Sequence, residues 1–476
     1  MTSQSYPLFL ANKALDSKNY LAVNDKYSQK TFAQVALASQ DILEQAITAA
    51  IKAEKAMAAL KPFEKQEILL HCVKRFHERH DELVDILIQE GGKPRNAAKA
   101  EVQRLINTFQ LAADAVTQID QGRIIPLAVT PAAGAYRGMV QHVPIGAVAL
   151  ISPFNFPLNL TAHKIAPAIA AGCPFILKPA SLTPISALII GEVLAETKLP
   201  KGAFSILPST REVADCLVTD DRLKLLSFTG SDQVGWDMKA RAGRKKVTLE
   251  LGGNAAAMIE PDTEITEALI DRLIGAGYGH AGQVCISVQR LLVHKDIYSE
   301  LKKALVKKLN KIQAADPNLE STLVGPMIKP EEAKRLKKWI DKAVKKDAKV
   351  LVGNVLDGVL FHPTLLENVP TDCEIYKDEA FGPVIVLEKY KNFEDGLNKI
   401  NASRFGLQAG IYTQNLNHMF KAWDELAVGG VIINDVPTFR VDNMPYGGVK
   451  DSGLGREGIQ SAIADMQEER VLVIKQ

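Results

Sequence analysis

Strands and helices alternate between residues 145 and 251, and this pattern limits the fold more than any other feature of the chain. Short apolar runs typical of buried strands are separated by segments with apolar residues at helical spacing. The predicted strands cover residues 145–151, 174–178, 204–207, 224–228 and 246–251, and the predicted helices cover 157–171, 184–196, 212–218 and 231–241. Such alternation predicts an α/β fold with a doubly wound parallel sheet.

The carboxyl ends of these strands are the expected ligand site, because ligands bind doubly wound sheets at that edge. Ser152, Lys178, Glu250 and the segment 228–231 lie there. The sequence contains neither a G-x-G-x-x-G loop after the first strand nor a G-x-x-x-x-G-K-[ST] loop. Thr229-Gly-Ser231 instead follows a strand and opens a helix, where free N–H groups and the helix dipole favour a phosphate.

The rest of the chain suggests a second α/β unit and an assembly element. Residues 31–117 read as successive helices, and residues 262–433 as another α/β stretch with strands at 286–293, 383–390, 407–412 and 430–433. Because the two α/β layers separate near Gly252-Gly253, we expect a cleft between two domains.

Two β segments outside these layers favour oligomerisation. Residues 124–129 and 138–143 could form a projecting hairpin, and residues 469–475 form a terminal strand that needs a neighbour. An exposed strand edge is an assembly site by default, so we expect sheet extension between copies, in a homodimer or a homotetramer.

Bulk properties exclude several classes of protein. A chain of 476 residues is too long for one core, and a net charge of +2 offers no field for nucleic acid or an anionic membrane. Basic runs at 302–311 and 334–346 alternate with apolar residues, as solvated helix faces do. Five cysteines without a C-x-x-C pair argue against a disulfide framework or a metal site. With no signal peptide or membrane span, we expect a cytoplasmic protein.

One cysteine has an unusual setting. Cys285 follows the glycines of Gly277-Tyr-Gly-His-Ala-Gly and precedes the apolar run 286–293. Small residues allow a ligand close to the thiol, and we expect the run to be a buried strand whose start holds the thiol rigidly. A thiol taken at random is more often a small buried hydrophobe, so Cys285 needs support from other segments.

Cys285, Glu250 and Asn155 are the residue types that thiol-based oxidation of an aldehyde requires. A thiolate adds to the carbonyl carbon, an amide N–H stabilises the oxyanion, and a hydride leaves to a nicotinamide. A carboxylate then activates the water that hydrolyses the thioester.

Seven motifs, in order, resemble those of the aldehyde dehydrogenase superfamily and extend from about Glu90 to Arg456. The motifs are Pro153-Phe-Asn-Phe-Pro157, Lys178-Pro179, Phe228-Thr-Gly-Ser231, Leu249-Glu-Leu-Gly-Gly-Asn254, Gly282-Gln-Val-Cys285, Glu379-Ala-Phe-Gly-Pro383 and Pro445-Tyr-Gly-Gly-Val-Lys-Asp-Ser-Gly455. The resemblance implies an NAD(P)-dependent aldehyde dehydrogenase, with a Rossmann-type cofactor domain, an α/β catalytic domain and a β-hairpin oligomerisation flap.

The resemblance also implies roles for single residues. Cys285 would be the nucleophile, Glu250 the general base, and Asn155 the oxyanion donor with the Cys285 backbone N–H. Lys178 would contact the adenosine ribose, Ser231 the pyrophosphate and Glu379 the nicotinamide ribose. The full set of implied NAD or NADP contacts is Ile151, Ser152, Pro153, Lys178, Ser181, Phe228, Thr229, Gly230, Ser231, Leu251, Gly252, Glu379 and Phe381.

The implied domains follow the same pattern. Residues 1–121 and 139–251 would form the NAD(P)-binding domain, 252–446 the catalytic domain, and 122–138 with 447–476 the oligomerisation segments.

Departures from the family pattern bear on cofactor and substrate. Ser181 stands where strict NAD users often carry a glutamate, so NADP should be tolerated. Arg104 and Arg440 resemble the phosphate-binding arginines of the non-phosphorylating glyceraldehyde-3-phosphate and phosphonoacetaldehyde branches, whereas Val284 replaces a third arginine. The alternative for both arginines is a structural ion pair.

The run 439–448 also resembles the lactaldehyde dehydrogenase-like branch, so the sequence favours a small polar aldehyde, with an anionic one as the alternative. The presence of Glu250 favours hydrolysis to a free acid over acyl transfer to coenzyme A.

Overall fold

The structure is a computed structural model that describes residues 4–118 and 122–476. Its strands, in chain order, are β1 (Gln4–Tyr6), β2 (Leu8–Leu10), β3 (Lys13–Leu15), β4 (Tyr20–Asn24), β5 (Thr31–Ala36), β6 (Arg123–Ile125), β7 (Tyr136–Pro144), β8 (Val148–Ile151), β9 (Phe175–Lys178), β10 (Phe204–Ile206), β11 (Leu225–Thr229), β12 (Lys246–Glu250), β13 (Ala256–Ile259), β14 (Arg290–His294), β15 (Lys349–Val352), β16 (Leu356–Asp357), β17 (Leu360–Phe361), β18 (Thr364–Glu367), β19 (Val384–Tyr390), β20 (Phe405–Gly406), β21 (Gln408–Tyr412), β22 (Gly430–Ile433), β23 (Val449–Lys450), β24 (Gly453–Leu454) and β25 (Gln467–Lys475).

Its α-helices, in chain order, are α1 (Gln40–Ala59), α2 (Pro62–Glu78), α3 (His80–Gly91), α4 (Arg95–Gln118), α5 (Asn159–Ala171), α6 (Ile185–Ala195), α7 (Arg211–Thr219), α8 (Asp232–Arg241), α9 (Glu267–Tyr278), α10 (Tyr298–Leu309), α11 (Pro330–Val344), α12 (Glu374–Lys377), α13 (Phe393–Asn401), α14 (Leu416–Glu425) and α15 (Ile459–Asp465). Within the described ranges, no helix has the length and apolar character needed to cross a bilayer.

Eight strands form the first large sheet, in the order β24-β12-β11-β8-β9-β10-β2-β3. The five strands from β12 to β10 run parallel, which confirms the predicted doubly wound arrangement. Val148 and Leu150 of β8 pack with α2–α6, whereas Ala149 and Ile151 pack with α1 and α7. Because successive side chains of a strand point to opposite faces, helices on both sides explain why these strands are apolar throughout.

Seven strands form the second large sheet, in the order β15-β18-β19-β14-β13-β21-β22. All its neighbours pair in parallel except β15 with β18. Gly252 and Gly253 lie between β12 of the first sheet and β13 of the second. The chain therefore passes from one α/β layer to the other where the sequence predicted it.

A smaller antiparallel sheet joins β6, β7 and β25. The predicted hairpin is present as the β6–β7 pair, and the predicted terminal strand is β25, which pairs with β7 along its whole length. Val471, Leu472, Val473 and Ile474 on β25 are each about half exposed. We call this three-stranded sheet the flap.

Residues 31–36 were predicted as helix, and this prediction is wrong. They form β5, which pairs in parallel with β1 and antiparallel with β4. Ala33 and Val35 on alternate positions of β5 are fully buried. The strand partners come from the N-terminal segment, whose short strands the sequence pattern did not reveal.

The predicted strand at residues 286–293 is wrong in its first half, because β14 begins only at Arg290. The N–H groups of Gln289 and Arg290 both donate to the carbonyl of Ala255, and the Val288 N–H donates to the carbonyl of Ala276. These bonds hold the segment as a loop, so Cys285 lies in a turn before β14 and not at the start of a strand.

Candidate active site

The loop that carries Cys285 is held by unusual backbone geometry between α9 and β14. His280 and Ala281 have left-handed φ values of 50° and 53°, which non-glycine residues rarely adopt. A Cβ atom at Gly253 would lie 2.1 Å from the carbonyl oxygen of Cys285, so only glycine fits against this loop. Cys285 is half-buried as a residue, and it packs against Ile286, Leu407 and Tyr446.

The Cys285 Sγ atom lies 3.0 Å from the hydroxyl of Tyr446. Burial raises the pKa of the Cys285 thiol to about 12, while the Tyr446 hydrogen bond acts in the opposite direction. A buried thiol resists ionisation because a low-dielectric surrounding disfavours the charged form. Groups that stabilise a thiolate are therefore the relevant neighbours of this atom.

Asn155 follows β8 and faces the cysteine loop. Its side-chain Nδ2 donates to the carbonyl of Gln283 at 2.9 Å, and the residue is only 4% exposed. Because Gln283 lies two positions before Cys285, this bond joins the loop after β8 to the cysteine loop. Asn155 and Cys285, two of the three predicted catalytic residues, therefore lie on neighbouring loops that this hydrogen bond joins.

Glu250 ends β12, is buried, and has both carboxylate oxygens without a hydrogen-bond partner among the described residues. Burial raises the pKa of Glu250 well above its usual value, and the nearby charge of Glu457 raises it further. Within the described residues, no hydrogen bond joins Glu250 to Cys285. A buried, unpaired carboxyl group with a raised pKa is typical of a general base that works near neutral pH.

Glu457 and Lys164 form a buried ion pair beside Glu250 that sequence reasoning missed. Lys164 Nζ lies 3.2 Å from Glu457 Oε1 and 2.8 Å from the Ser227 hydroxyl. Burial alone would raise the pKa of Glu457, but the charges of Lys164 and Arg440 lower it to about 2. The only sequence signal was the Arg456-Glu457 pair that directly follows the last motif.

Arg440 is almost fully buried, with 7% of its side chain exposed. Its Nη2 lies 3.1 Å from Glu457 Oε2, and its guanidinium carbon lies 3.7 Å from the centre of the Tyr446 ring. Its Nε has no hydrogen-bond partner within the described chain. A buried cationic N–H without a partner is costly, and a bound anion would satisfy it.

Arg104 on α4 belongs to a second buried cluster. Its Nη2 donates to Asp442 Oδ1 at 2.6 Å, and His163 Nε2 donates to the same oxygen at 2.9 Å. Burial would raise the pKa of Asp442, but the hydrogen bonds from His163 and Arg104 hold it well below its usual value. Burial and the charge of Arg440 lower the pKa of His163, so its ring is neutral at pH 7.

The predicted cofactor residues lie side by side along the carboxyl edge of the first sheet. The strand register pairs Ile151 with Lys178 and with Phe228, and it pairs Thr229 with Glu250. Ser152 follows directly, buried, with its hydroxyl accepting from Thr161 at 2.9 Å. The register therefore places residues from four different strands in one row.

Lys178 and the start of α8 have the properties of a nucleotide site. Burial, and next the charge of Arg211, lower the pKa of Lys178 to about 8. Among the residues that the structure describes, its Nζ makes one long hydrogen bond, 3.3 Å, to the adjacent carbonyl of Pro179. Ser231 is the exposed N-cap of α8 and makes no side-chain cap bond, so the first N–H groups of that helix remain for a phosphate. Ser181 is exposed beyond Lys178.

Glu379 and Phe381 approach this row from the second sheet. Glu379 Oε1 accepts from the Gly253 N–H at 2.9 Å, and a Cβ at Gly252 would lie 2.7 Å from Glu379 Oε2. Burial raises the pKa of Glu379 to about 7. Phe381 adopts a left-handed φ of 45° and packs edge-to-face on Phe154. The residues present thus fit a dinucleotide: a phosphate-ready helix start, an incompletely bonded lysine and a glycine, Gly252, that lets the Glu379 carboxylate approach this edge.

Comparison with known proteins gives the family. The model of the aldehyde dehydrogenase family matches residues 13–472. The 3-sulfolactaldehyde dehydrogenase of Priestia aryabhattai is 37% identical over 472 residues, which cover 99% of this chain and 98% of that protein.

Two solved structures match nearly the whole chain. Aldehyde dehydrogenase 21 from Physcomitrella patens, in complex with the reaction product succinate, is 46% identical with a TM-score of 0.98, and the match covers 100% of this chain and 99% of that one. A glyceraldehyde-3-phosphate dehydrogenase from Methanocaldococcus jannaschii, complexed with NADP, is 36% identical with a TM-score of 0.91, covering 96% and 100%.

The chain therefore belongs to the aldehyde dehydrogenase family. The fold class and the enzyme class that the seven motifs implied, an NAD(P)-dependent dehydrogenase, are confirmed.

Proposed function

We propose that this enzyme oxidises a short anionic aldehyde to its acid with NADP or NAD, through a thioester on Cys285 that water hydrolyses. The observation that carries this proposal is the buried Arg440, which lies beside Glu250 and Tyr446 and whose Nε has no hydrogen-bond partner among the described residues. An aldehyde that presented a carboxylate or sulfonate to Arg440 would leave its carbonyl end free to reach Cys285. Arg104, which is fixed by Asp442, is the second candidate for the same anion.

The relatives support a single anionic group on a short chain. One relative is named for 3-sulfolactaldehyde, and one solved structure with a TM-score of 0.98 is a complex with succinate. Both molecules are short and anionic at neutral pH. Val284, next to the thiol, supplies no third cation, so we favour a carboxylate or a sulfonate over the more highly charged phosphate. Phosphorylated and phosphonylated aldehydes are the alternative, which the glyceraldehyde-3-phosphate dehydrogenase relative favours.

The first chemical step would occur at the Cys285 thiolate. Its sulfur adds to the aldehyde carbon, and the carbonyl electrons move to the oxygen. The Asn155 amide and the Cys285 backbone N–H would stabilise that oxyanion, since donors fixed in a buried site need no rearrangement during the reaction. A bound nicotinamide would supply the hydride acceptor, so that loss of hydride from the same carbon would leave a thioester on Cys285.

The second step would use Glu250. A carboxylate at this position removes a proton from water, the hydroxide oxygen attacks the thioester carbon, and the Cys285 thiolate leaves as the acid is released. Both Glu250 oxygens lack a hydrogen-bond partner in the described part of the chain, which supports this role because they are available for a water molecule. Acyl transfer to coenzyme A is the alternative fate, and it would require no base at this position.

The cofactor site would use residues from both sheets. Lys178 would bind the adenosine ribose, Ser231 and the α8 N-terminus the pyrophosphate, and Glu379 the nicotinamide ribose. Ile151, Ser152, Pro153, Phe228, Thr229, Gly230, Leu251, Gly252 and Phe381 would line the remainder. The exposed Ser181 neither repels nor requires a 2′-phosphate, so we expect NADP and NAD both to serve.

We propose that the first sheet with its helices is the cofactor domain, the second sheet the catalytic domain, and the flap the assembly element. The half-exposed apolar residues of β25 support a homodimer or homotetramer. Leu416, Phe420 and Trp423, all exposed on one face of α14, offer a second apolar surface for the same purpose. Five free cysteines, all within the described ranges, support the cytoplasm as the compartment.

The test is an initial-rate assay with NADP and with NAD across matched aldehydes. Succinic semialdehyde and 3-sulfolactaldehyde represent the anionic group, lactaldehyde and butyraldehyde the neutral group, and glyceraldehyde 3-phosphate and phosphonoacetaldehyde the phosphate group. We expect kcat/KM for the first group to exceed that for the neutral group by about tenfold or more, as a charge-assisted hydrogen bond provides. Equal turnover of neutral aldehydes would make both arginines structural.

Replacement of Cys285 by Ala tests the chemistry separately. We expect cofactor binding to remain and turnover to fall to the background rate, because the bond-forming atom is gone. Dehydrogenase activity retained in this variant would overturn the assignment. A rate of product formation that depended on coenzyme A would instead support the acyl-transfer alternative.

A further inference from the structure

Tyr446 has a rigidly fixed backbone beside the thiol. Its N–H donates to the Glu457 carbonyl at 2.9 Å, and the Glu457 N–H donates back to the Tyr446 carbonyl at 2.6 Å. Its ring is 3% exposed and packs with Ile286 and Leu407 against Cys285. The Tyr446 hydroxyl is therefore held 3.0 Å from Sγ by bonds and packing that do not depend on the thiol itself.

The ring of Tyr446 also lies against a cation. The Arg440 guanidinium carbon is 3.7 Å from the ring centre, and Glu457 Oε2 holds Arg440 Nη2 at 3.1 Å. Glu457 thus fixes the Tyr446 backbone with its main chain and the cation with its side chain. A cation over the ring face withdraws electron density from the phenol, which makes the O–H a stronger hydrogen-bond donor.

We propose that Tyr446 is a catalytic residue that donates a hydrogen bond to the Cys285 sulfur and stabilises the thiolate when it forms and when it leaves the thioester. Tyr446 transfers no proton: the thiol proton goes to solvent, and the phenol keeps its own. Burial raises the pKa of the Tyr446 phenol well above its usual value, so the hydroxyl stays protonated and can donate. This inference rests on the proposed role of Cys285 as nucleophile.

Chemical necessity supports this role. The Cys285 sulfur is surrounded by apolar side chains, including Val284 and Ile286, which give no stabilisation to a negative charge. The charges of Glu379 and Glu250 oppose ionisation of the thiol further, whereas the charge of Arg440 favours it. The Tyr446 hydroxyl lies directly on Sγ and favours the thiolate more than the charge of Arg440 does, since hydrogen bonds to charged groups are about twice as strong as neutral ones.

The test is alkylation of Cys285 by iodoacetamide in the enzyme without substrate or cofactor, followed by mass spectrometry of the Cys285 peptide. The thiolate is the reacting species, so the rate below the thiol pKa reports the thiolate fraction. We expect Tyr446→Phe to slow alkylation at pH 8 about tenfold, which corresponds to a rise of about one pKa unit. Because no aldehyde is involved, the result is independent of which substrate the enzyme uses.

Tyr390→Phe is the matched control. Tyr390 is also buried, at 1% exposure, and its hydroxyl lies between the carboxylate of Glu260 and the Ile259 carbonyl in another part of the molecule. The control removes a buried phenol bond without touching the thiol, so its alkylation rate should equal that of the wild type. An unchanged rate in Tyr446→Phe would overturn the proposal.

A second variant tests the proposal if Tyr446→Phe does not fold. If circular dichroism shows that Tyr446→Phe is unfolded, 3-fluorotyrosine placed at position 446 keeps the shape and makes the phenol a stronger donor. Alkylation of Cys285 should then be faster than in the wild type. An equal or slower rate in this folded variant would contradict the proposed hydrogen bond to the thiolate.

Discussion

Arg104 and Asp442 lie 338 positions apart in the chain, yet Arg104 Nη2 donates to Asp442 Oδ1 at 2.6 Å. The carboxylate is 5% exposed and also accepts from His163, so it has no alternative partner in solvent. This pair fixes the direction in which the rest of the Arg104 guanidinium points. The ion pair with Asp442 therefore has a structural role, and it would also orient Arg104 toward a substrate anion.

Replacement of Asp442 by Asn should weaken binding of anionic aldehydes selectively. The amide keeps the size but removes the charge that orients Arg104, and we expect KM for the best anionic aldehyde to rise about tenfold, the cost of one charge-assisted hydrogen bond. KM for a neutral aldehyde of equal length should change little. Steady-state kinetics with both substrates measure this difference.

Asp85→Asn serves as the control for that variant. Asp85 pairs with Arg95 at 3.3 Å on the surface, where its side chain is 60% exposed. Surface pairs contribute little, so both KM values should remain at the wild-type level. Equal losses for charged and neutral aldehydes in Asp442→Asn would show that the cluster only maintains the fold.

A glutamate at position 181 should shift cofactor use from NADP to NAD. Ser181 is exposed beyond Lys178, so the change should not disturb packing. A carboxylate there would repel a 2′-phosphate and could accept from a 2′-hydroxyl, and we expect kcat/KM for NADP to fall about tenfold or more. Ser181→Gln has the same size without charge and should retain NADP use. Unchanged NADP kinetics in the Ser181→Glu variant would show that the adenosine ribose does not bind near residue 181.

Replacement of Glu250 by Gln should stop turnover after the first hydride transfer. Loss of a general base typically costs 10²- to 10⁴-fold, so we expect kcat to fall by about a hundredfold or more while one equivalent of reduced cofactor still forms in a burst. Stopped-flow absorbance at 340 nm would separate the burst from the steady rate. An undiminished steady rate would show that another group activates the water.

The same carboxyl group should set the acidic limb of the pH profile. Because burial and the charge of Glu457 raise the pKa of Glu250, its carboxylate is lost at a higher pH than for an exposed glutamate. Lowering the pH through this raised pKa protonates the base, so the hydrolysis rate should fall well above pH 4.5, the ordinary value for glutamate. The Glu250→Gln variant should show no such limb. A limb at the ordinary glutamate pKa would contradict the buried, unpaired environment.

Charge placed on β25 should disrupt assembly. Val471 and Val473 point to the same side of the strand, and each is 53% exposed. The double replacement by Lys would bury two charges in any apolar contact, so light scattering after gel filtration should detect single chains where the wild type forms a dimer or tetramer. Arg470→Gln, on the same strand, is the control. An unchanged mass would exclude this face of the flap from the interface.

The sequence predicted best those strands and helices whose pattern is contained in a short local segment. The alternation between residues 145 and 251 predicted five parallel strands because each one carries its own apolar run and its own following helix. It predicted residues 31–36 and 286–289 wrongly because their structure depends on distant partners. β1 and β4 pair with the first segment, and the Ala255 and Ala276 carbonyls bond the second.

The residues of the candidate site that belong to a single motif could be predicted from the sequence. The contacts between side chains of different motifs could not. Cys285, Glu250 and Asn155 belong to motifs that can be read one at a time. The fold itself creates the ion pairs that place Lys164, Asp442 and Glu457 in the site. Lys164 Nζ, for example, lies 3.2 Å from Glu457 Oε1, and no sequence pattern indicates this contact. Tyr446 belongs to the last of the seven motifs. Its 3.0 Å contact with Cys285 Sγ could not be predicted, because the two residues lie on different loops, 161 positions apart in the chain.

The close approach of Gly253 to Cys285 has a mechanical consequence. The chain leaves the first sheet at Glu250 and enters the second at Ala256, and within this short link Gly253 presses against the backbone of the thiol loop while Glu379 accepts its N–H. Any sliding of one sheet against the other would therefore push directly on the residue that carries the sulfur. The alignment of the thiol with the cofactor edge can thus be disturbed by changes far from it, without alteration of any side chain that takes part in the reaction.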